Sequence, residues 1–351
     1  MDDLVVFQTI LLGTDGSATA RIAEHAATTL ASATGGQLII VSAFDGSASS
    51  KQAAEDAVNE ARGRVEAAGV DAWSDVVEGE PSAALVEFAD RLNAELIVIG
   101  DVGMGEGGRL RLGGVPDRIS HSAPCSVLIV RTGNHAREAN AAEPPPVRYR
   151  SVLIATDGSP TAAHAAHLGA ALGRALGATV TLAHVGDELM GRIVLKDTAE
   201  RLKEPDLPQQ IASGNPGKTI ARLADEDGSD LVVVGNKGIA GARRVLGSVP
   251  NTVSHNAKCD VLIVHTVGRS LADLKPGEGA IVEERGRKIA GYRDPSGRVT
   301  ALSKKCPHLG CSVQWNATLV TWDCPCHGAR FDAEGNVVNG PAQRALERIE
   351  V

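Results

Sequence analysis

The feature that most constrains this chain is an internal repeat that fills most of its length. The segment Ile10–Ser17 reads ILLGTDGS, and Val152–Ser159 reads VLIATDGS. Further along, GGVPDRISHSAPCSVLIV at Gly113–Val130 is matched by GSVPNTVSHNAKCDVLIV at Gly247–Val264. The period is about 140 residues, which is far longer than that of a solenoid repeat. The chain is therefore predicted to contain two tandem copies of one whole domain.

Each copy alternates short apolar runs with longer, alanine-rich segments. Runs such as LIIVSAF and LIVIG are continuous, as expected of strands that are buried on both faces. The segments between them, for example ATARIAEHAATTLASATG, have the pattern of amphipathic helices that end at glycine. Strands that alternate with helices predict an α/β fold with a parallel sheet, and ligands of such sheets bind beyond the carboxyl ends of the strands.

The sequence TDGS directly after the first strand, and glycines spaced G-x2-G-x9-G-[ST] after the fourth, resemble the universal stress protein family. The resemblance covers residues 5–132 and 148–266. It implies a Rossmann-like, five-strand parallel sheet in each copy, pairing of the two copies within one chain and, in one subclass of the family, ATP binding. The same pairing could also bring two whole chains together as a homodimer.

The glycine-rich segments have the composition of a phosphate cradle, because glycine lets the backbone approach an anion and the following helix offers unpaired N–H groups. By resemblance, the nucleotide-binding positions are Asp15, Ala43, Gly100, Gly103, Gly113 and Gly114 in copy one and Asp157, Val185, Gly235, Gly238, Gly247 and Ser248 in copy two. The two aspartates are expected near the ribose or the phosphates, and Ala43 and Val185 near the adenine. The alternative is that the glycines only form a tight turn between a strand and a helix.

Each copy departs from the family pattern in its own way. Gly114 stands where a hydroxyl is expected, and Asp101 and Glu106 add negative charge near the expected phosphates. Copy two has the hydroxyl of Ser248 and a basic loop, but this loop holds eight residues in place of nine. Copy two is therefore the stronger of the two candidates for a nucleotide site.

Two cysteine- and histidine-containing motifs, CPHLGC and CPCHG, stand close together near the end of the chain, among segments that indicate short antiparallel strands. Their spacing, C-x-H-x15-C-x2-H, offers Cys306, His308, Cys324 and His327 as metal ligands. Two irons could be divided between them, with both cysteines on one iron and both histidines on the other, and the neutral imidazoles would raise the potential of such a cluster. A structural zinc site is the alternative, since two cysteines and two histidines also satisfy tetrahedral zinc.

The whole pattern resembles the Rieske family over residues 276–351. The resemblance implies a small all-β domain that holds one [2Fe–2S] cluster, and a disulfide between Cys311 and Cys326 as in the respiratory-type subfamily. That subfamily often has serine after CHG and tyrosine two residues later, which donate hydrogen bonds to sulfur; here these residues are Ala329 and Phe331. The expected potential therefore lies in the lower or middle part of the Rieske range, which runs from roughly −150 to +300 mV.

These patterns divide the chain into three domains and two linkers. The predicted stress protein-like domains are residues 1–132 and 148–266, the linkers are residues 133–147 and 267–275, and the predicted Rieske domain is residues 276–351.

Charge and hydropathy limit the partners that the chain is expected to have. With 35 Lys and Arg against 43 Asp and Glu, the net charge is −8, which argues against non-specific binding to nucleic acid. No apolar stretch approaches the roughly 20 residues that span a bilayer, and the acidic start lacks the features of a signal peptide. The expected location is the cytoplasm.

The predicted function is that of an electron-transfer or redox-sensing protein with one Rieske cluster, whose paired repeat domains bind ATP or a partner. No catalytic iron domain with a two-histidine, one-carboxylate triad is visible, so an electron-transfer component is favoured over a self-contained enzyme. Its redox partner protein is unknown. The alternative is a nucleotide-binding stress-response sensor in which the cluster is an accessory, and a ferredoxin component of an oxygenase system is a third hypothesis.

Overall fold

A computed structural model describes residues 6–102, 112–132, 149–236, 246–265, 271–284 and 287–350 of the 351-residue chain. The chain divides into two compact units, Met1–Thr266 and Val267–Val351. The first unit contains both copies of the repeat, and the second contains the cysteine- and histidine-rich motifs.

Strands and helices alternate in both copies of the repeat, in the same order. Copy one contains β1 (Thr9–Gly13), α1 (Ala18–Thr34), β2 (Gln37–Phe44), α2 (Ala48–Ala67), β3 (Ala72–Glu78), α3 (Pro81–Arg91), β4 (Leu96–Gly100), α4 (Gly114–Ser122) and β5 (Ser126–Val130). Copy two contains β6 (Ser151–Ala155), α5 (Pro160–Leu176), β7 (Thr179–Val185), α6 (Glu188–Leu202), β8 (Gln209–Ala212), α7 (Pro216–Glu226), β9 (Leu231–Gly235), α8 (Ser248–Asn256) and β10 (Asp260–Val264).

The strands of both copies form one continuous sheet in the order β3-β2-β1-β4-β5-β10-β9-β6-β7-β8. Pairing is parallel within each copy, whereas β5 and β10 pair antiparallel and join the copies, with Leu128 opposite Leu262. Neighbouring side chains such as Leu11 and Leu12 enter separate apolar cores on the two faces of the sheet. The α/β fold predicted from the continuous apolar runs is confirmed, because strands covered on both faces need no polar alternation.

The turn TDGS connects the first strand of each copy to its first helix. Ser17 and Ser159 cap α1 and α5, since each Oγ accepts a hydrogen bond from a backbone N–H of the first turn. The preceding glycines, Gly16 and Gly158, have φ angles of +74° and +78°, a conformation that other residues adopt only with strain. The motif therefore fixes a sharp exit from the strand at the carboxyl edge of the sheet.

A buried polar cluster lies where the two copies meet. Asp260 at the start of β10 accepts hydrogen bonds from the backbone N–H of Arg131 at 2.7 Å and from the hydroxyl of Tyr149 at 2.7 Å. The Arg131 guanidinium lies 3.5 Å from Asp101, whose carboxylate also accepts from the N–H and the hydroxyl of Thr132. Burial raises the pKa of the Asp260 carboxyl from 3.8 to about 6, against the lowering effect of its two hydrogen-bond donors.

The position of Asp101 corrects an expectation from the sequence. Its side chain is buried and its carboxylate is bonded to residues that follow β5, so its charge belongs to the junction between the copies. Asp101 does not itself line the cavity of copy one, although its neighbours Gly100 and Val102 do. Glu106, the second acidic residue of that prediction, lies outside the described residues.

The second unit is built from two antiparallel sheets. The first contains β11 (Glu278–Glu284), β12 (Arg287–Arg293) and β13 (Val299–Ser303), and the second contains β14 (Gln314–Asn316), β15 (Thr321–Asp323), β16 (Arg330–Asp332) and β17 (Val337–Asn339). Trp322 and Phe331 pair across β15 and β16 and are fully buried in the core of this unit. The prediction of a small all-β domain after the two α/β copies is confirmed.

None of the helices in the described part of the chain combines the length and apolar character needed to cross a membrane.

Candidate functional site

Two loops with the same backbone path carry the predicted metal ligands. In the loop after β13, the N–H of Cys306 bonds the carbonyl of Cys311 at 2.8 Å, and the N–H of Gly310 bonds the carbonyl of Cys306 at 2.8 Å. In the loop after β15, the N–H of Cys324 bonds the carbonyl of Ala329 at 2.7 Å, with a matching bond four residues on. Each loop therefore closes on its first cysteine.

A glycine at the fifth position makes each of these loops possible. Gly310 and Gly328 have φ angles of +76° and +73°, so a side chain at either place would be strained even though the surrounding space is open. The motifs CPHLG and CPCHG are thus two sequences for one loop shape, with the histidine at the third position in one and at the fourth in the other.

The loops place the predicted ligands in two pairs, one of cysteines and one of histidines. Cys306 and Cys324 are buried, at 1% and 3% exposure, and their thiols are close enough to hydrogen-bond. The imidazoles of His308 and His327 lie farther out, with ring centroids 4.9 Å apart and planes at 83°. The structure therefore places two sulfurs inside and two imidazoles toward the surface.

The chemistry of these donors fits a metal cluster. Burial, together with the neighbouring Cys324 thiol, raises the pKa of the Cys306 thiol, while the backbone N–H groups of His308 and Leu309 point to this sulfur and favour its thiolate. A thiolate there needs a cation, because metal ligation is what offsets the burial of its charge. Among the described residues, the buried Nδ1 atom of His308 also has no hydrogen-bond partner, as expected of a nitrogen that binds a metal.

Cys311 and Cys326 lie beside the ligands as free thiols. Their sulfurs and that of Cys324 all lie within 4.8 Å of one another, and burial and the neighbouring Cys326 raise the pKa of Cys311 to about 12. The structure thus brings the predicted disulfide partners together, and the disulfide itself stays a prediction.

The strands beneath the second loop are held by a polar network. Arg330 forms two hydrogen bonds to the carboxylate of Asp323, at 2.8 and 2.9 Å, and this carboxylate also accepts from Asn316 and Thr321. Because Asp323 directly precedes Cys324, the network fixes the start of the loop. None of these residues was predicted from the sequence, although the paired D and R that flank the CPCHGA loop were visible in it.

The predicted nucleotide positions of copy one line a single cavity at the carboxyl edge of the sheet. Its volume is about 580 Å³. The predicted residues on its wall are Asp15, Ala43, Gly100, Gly113 and Gly114. Gly103 and, in copy two, Gly238 lie outside the described residues. Ser42, Ala54 and Arg118 are among the lining residues that the motif did not indicate.

The corresponding residues of copy two occupy equivalent places in their own α/β unit. Asp157 follows β6, Val185 ends β7, and Gly235 ends β9, while Gly247 and Ser248 begin α8. The Oδ1 atoms of Asp15 and Asp157 each accept the backbone N–H two residues on, so both aspartates also shape the TDGS turn.

Comparisons with known proteins distinguish the two copies of the repeat from the second unit. A model of the universal stress protein family matches residues 7–131, 148–194 and 187–265, and one of the Rieske [2Fe-2S] domain matches residues 266–350. A universal stress protein structure from Archaeoglobus fulgidus covers 76% of this chain and 99% of its own, with a TM-score of 0.57 and 18% identity, so it supports the fold alone.

Relatives of the second unit are similar to it over short regions. YhfW of Bacillus subtilis, named for a Rieske 2Fe-2S iron–sulfur protein, is 47% identical over 79 residues, which are 22% of this chain and 16% of that protein. The cytochrome b6-f complex iron–sulfur subunit 2 of Nostoc is 46% identical over 61 residues, 17% of this chain and 32% of that subunit. The chain thus spans less than a third of the length of these relatives.

Two copies of one α/β domain, joined edge to edge, make up most of the molecule, and the family match covers nearly all of both. The chain belongs to the universal stress protein family and carries a Rieske [2Fe–2S] domain after its two stress protein copies.

Proposed function

We propose that the chain is an electron-transfer or redox-sensing protein in which Cys306 and Cys324 hold the inner iron of a [2Fe–2S] cluster and His308 and His327 the outer iron. The observation that carries this proposal is the convergence of two buried thiols and two outward imidazoles from loops of one shape. When bound, such a cluster accepts and releases one electron.

The side chains around the imidazoles suit exchange with a partner protein. His327 is exposed, and Leu309, next to His308, is 67% exposed although it is apolar. The inner cysteines are shielded by the core formed around Trp322 and Phe331, which keeps water from the sulfurs. Electrons would therefore enter and leave through the histidine side, where an unknown redox partner can approach.

The cavity of copy one supports a second activity, the binding of ATP or a similar nucleotide. It lies at the carboxyl edge of a parallel sheet, beside an α4 N-terminus whose amides receive no side-chain cap. If nucleotide binding alters the potential of the cluster, the protein is a redox sensor that reads nucleotide levels. If ATP binds with no dependence on redox state, the alternative of a nucleotide-binding stress sensor with an accessory cluster is favoured.

The test of the first proposal is electron paramagnetic resonance on the full chain. Protein purified without oxygen and reduced with dithionite is expected to give a rhombic spectrum with the lowered average g value of imidazole-ligated [2Fe–2S]. Protein that contains zinc and no iron, with a silent spectrum, would instead establish a structural zinc site. A redox titration of the cluster, carried out with and without ATP, then separates a nucleotide-dependent redox sensor from a simple electron carrier.

We expect a low or middle potential because two sulfur hydrogen-bond donors are replaced. Phe331 and Ala329, both buried, lack the hydroxyls found at these positions in the respiratory-type subfamily. Phe331→Tyr or Ala329→Ser should each raise the potential by about 60 mV, since a hydrogen bond that favours the reduced cluster by about 1.4 kcal/mol has this effect on a one-electron couple. A redox titration followed by electron paramagnetic resonance measures the shift, with Phe44→Tyr in the first unit as the control. A wild-type potential at the top of the Rieske range would contradict this explanation.

We also predict that Cys311 and Cys326 form a disulfide when the protein is isolated in air. Closing a loop of about 15 residues stabilises a fold by roughly 3 kcal/mol in the chain-entropy model. Non-reducing digestion and mass spectrometry should recover the two cysteines in one linked peptide pair, while Cys125 and Cys259 stay alkylatable after unfolding. Recovery of Cys311 and Cys326 as separate alkylated peptides would refute the disulfide.

A further inference from the structure

Four helices cover one face of the ten-stranded sheet. Buried residues of α3, α4, α7 and α8 belong to one apolar core, whereas α1, α2, α5 and α6 pack into the core on the opposite face. The helices α4 and α8 approach each other where the copies meet, and Nε2 of His255 lies 3.5 Å from the carboxylate of Asp117. The four helices therefore form one layer that spans both copies.

In copy one, an acidic groove lies between α3 and α4. Its volume is about 880 Å³. Its charged lining residues, besides the titratable His121, are Glu80, Glu87, Asp90, Asp117 and Arg118. The only cation of this set, Arg118, pairs with Glu80 at 2.8 Å, so three carboxylates of the groove are left for another partner.

The internal repeat identifies the matching positions in copy two. Helices α3 and α7 both have 11 residues and begin at Pro81 and Pro216, so Glu87 corresponds to Arg222. Helices α4 and α8 both have 9 residues, and counting along them matches the rest of the groove in the same way.

At the matching positions copy two is basic. The counterparts of Ala83, Glu87 and Pro124 are exposed cations, and they form what we call the basic surface, Lys218, Arg222 and Lys258. Of the four carboxylates of the groove, only Asp90 has an acidic counterpart, Asp225, which pairs with Lys258 at 2.6 Å. Arg222 pairs with Glu226 within α7. Exposed pairs of this kind are weak, so these cations can exchange partners at an interface.

The two copies also differ in shape. A Cβ on Gly217 would lie only 2.4 Å from the Cβ of Thr252, so the glycine lets α7 approach α8 closely at this point. Copy one has Ser82 at the position of Gly217, and Ser82 lines the groove. Copy one thus presents a groove, and copy two presents long cationic side chains on closely packed helices.

We propose that two chains pair through this helical layer, with the basic surface of each chain in the acidic groove of the other. Groove and basic surface lie on the same face of the sheet, on opposite sides of the antiparallel pair β5 and β10. A second chain turned over about an axis along the strands places its copy two over the groove and its groove over the basic surface of the first chain. Such a two-fold dimer is closed and makes the same contact twice.

This interface is distinct from the pairing of the two copies, because the strands β5 and β10 already pair with each other within the chain. Opposite charge on the two surfaces favours this orientation, and it disfavours the dimer in which groove faces groove. The inference depends neither on the cluster nor on nucleotide binding.

The first test is the mass of the full cluster-containing protein in solution, measured by sedimentation equilibrium. Wild type is expected to be a dimer of the 36.3 kDa chain. The dimer should weaken as salt rises from about 0.1 to 1 M, because the Debye length falls from about 10 to about 3 Å. Glu87→Arg and Arg222→Glu, both at exposed positions, should each raise the dissociation constant by about tenfold or more, since each like-charge contact occurs twice in the dimer.

Mixing these two variants separates a specific contact from a general loss of association. A Glu87→Arg chain carries arginine at both contact positions, and an Arg222→Glu chain carries glutamate at both. In a one-to-one mixture every contact is again between opposite charges, so the dimer should return. The double variant Glu87→Arg/Arg222→Glu should dimerise for the same reason. Glu188→Arg and Arg192→Glu reverse exposed charges of α6, on the other face of the sheet, and should leave the mass unchanged.

Several outcomes would overturn the proposal. These are a monomeric wild type, growth beyond the dimer, single variants that dimerise as well as wild type, and a mixture of the two variants that fails to associate. If wild type is monomeric and binds an oligolysine peptide that Glu87→Arg does not bind, the groove serves a basic segment of another protein and the second copy is excluded as its occupant.

Discussion

Replacing Cys306 with serine is expected to give a protein that assembles no reducible [2Fe–2S] cluster. The Cys306 sulfur is buried, lies beside Cys324 and receives backbone N–H groups, and a serine hydroxyl offers no thiolate at this position. Loss of a residue that only hydrogen-bonds a metal ligand lowers metal affinity by roughly 10- to 100-fold. Loss of a direct ligand should lower the affinity by more than about 100-fold. Iron and sulfide analysis, with the spectrum of the reduced protein, measures the effect.

The matched control is Cys259→Ser, a substitution of a partly buried cysteine in the first unit. Burial raises the pKa of Cys259 to about 12, so this thiol is inert and its loss should leave the iron content unchanged. A Cys306→Ser protein with a full rhombic spectrum would refute the proposed ligand set. Equal loss of iron in both variants would show that the effect is a general one on folding.

The second large effect is expected at the junction between the copies, where Asp260→Asn should stabilise the first unit at neutral pH. The folded pKa of Asp260 is raised to about 6 from 3.8, so folding favours the protonated carboxyl. The protonated carboxyl therefore stabilises the folded state. This stabilisation is fully present below pH 3.8 and is lost as the pH rises through 6. Each tenfold change in the acid dissociation constant corresponds to about 1.4 kcal/mol, so the free energy of unfolding falls by roughly 3 kcal/mol over this range of pH.

An asparagine at this position stays neutral and so removes the dependence on pH. Its carbonyl oxygen can still accept from the Arg131 N–H, and its amide can donate to the Tyr149 oxygen. The free energy of unfolding of the variant, relative to wild type, should therefore rise by roughly 3 kcal/mol between pH 3.5 and pH 7.5. Denaturant titrations at a series of pH values measure it, and Asp197→Asn, an exposed carboxylate on α6, is the control. A difference that stays constant with pH would mean that Asp260 is ionised throughout this range.

The local sequence was sufficient to predict the elements of the fold. Continuous apolar runs indicated strands buried on both faces, the alanine-rich segments indicated the helices between them, and the repeat predicted that the two copies share one architecture. The spacing of cysteine and histidine in CPHLG and CPCHG also indicated two ligand-bearing loops, because each motif is contained within five residues. These features depend on residues within a few positions of one another, so the sequence alone determined them.

Tertiary structure alone decided the features that depend on distant residues. Asp101 follows a glycine that the motif assigns to phosphate binding, yet its carboxylate is bonded to Thr132, which lies 31 residues on in the chain. Arg118 reaches Gly114 because they lie one turn apart on α4, but its place in the cavity depends on α3 and on Glu80. These contacts join elements that lie far apart in the chain, and no motif records them.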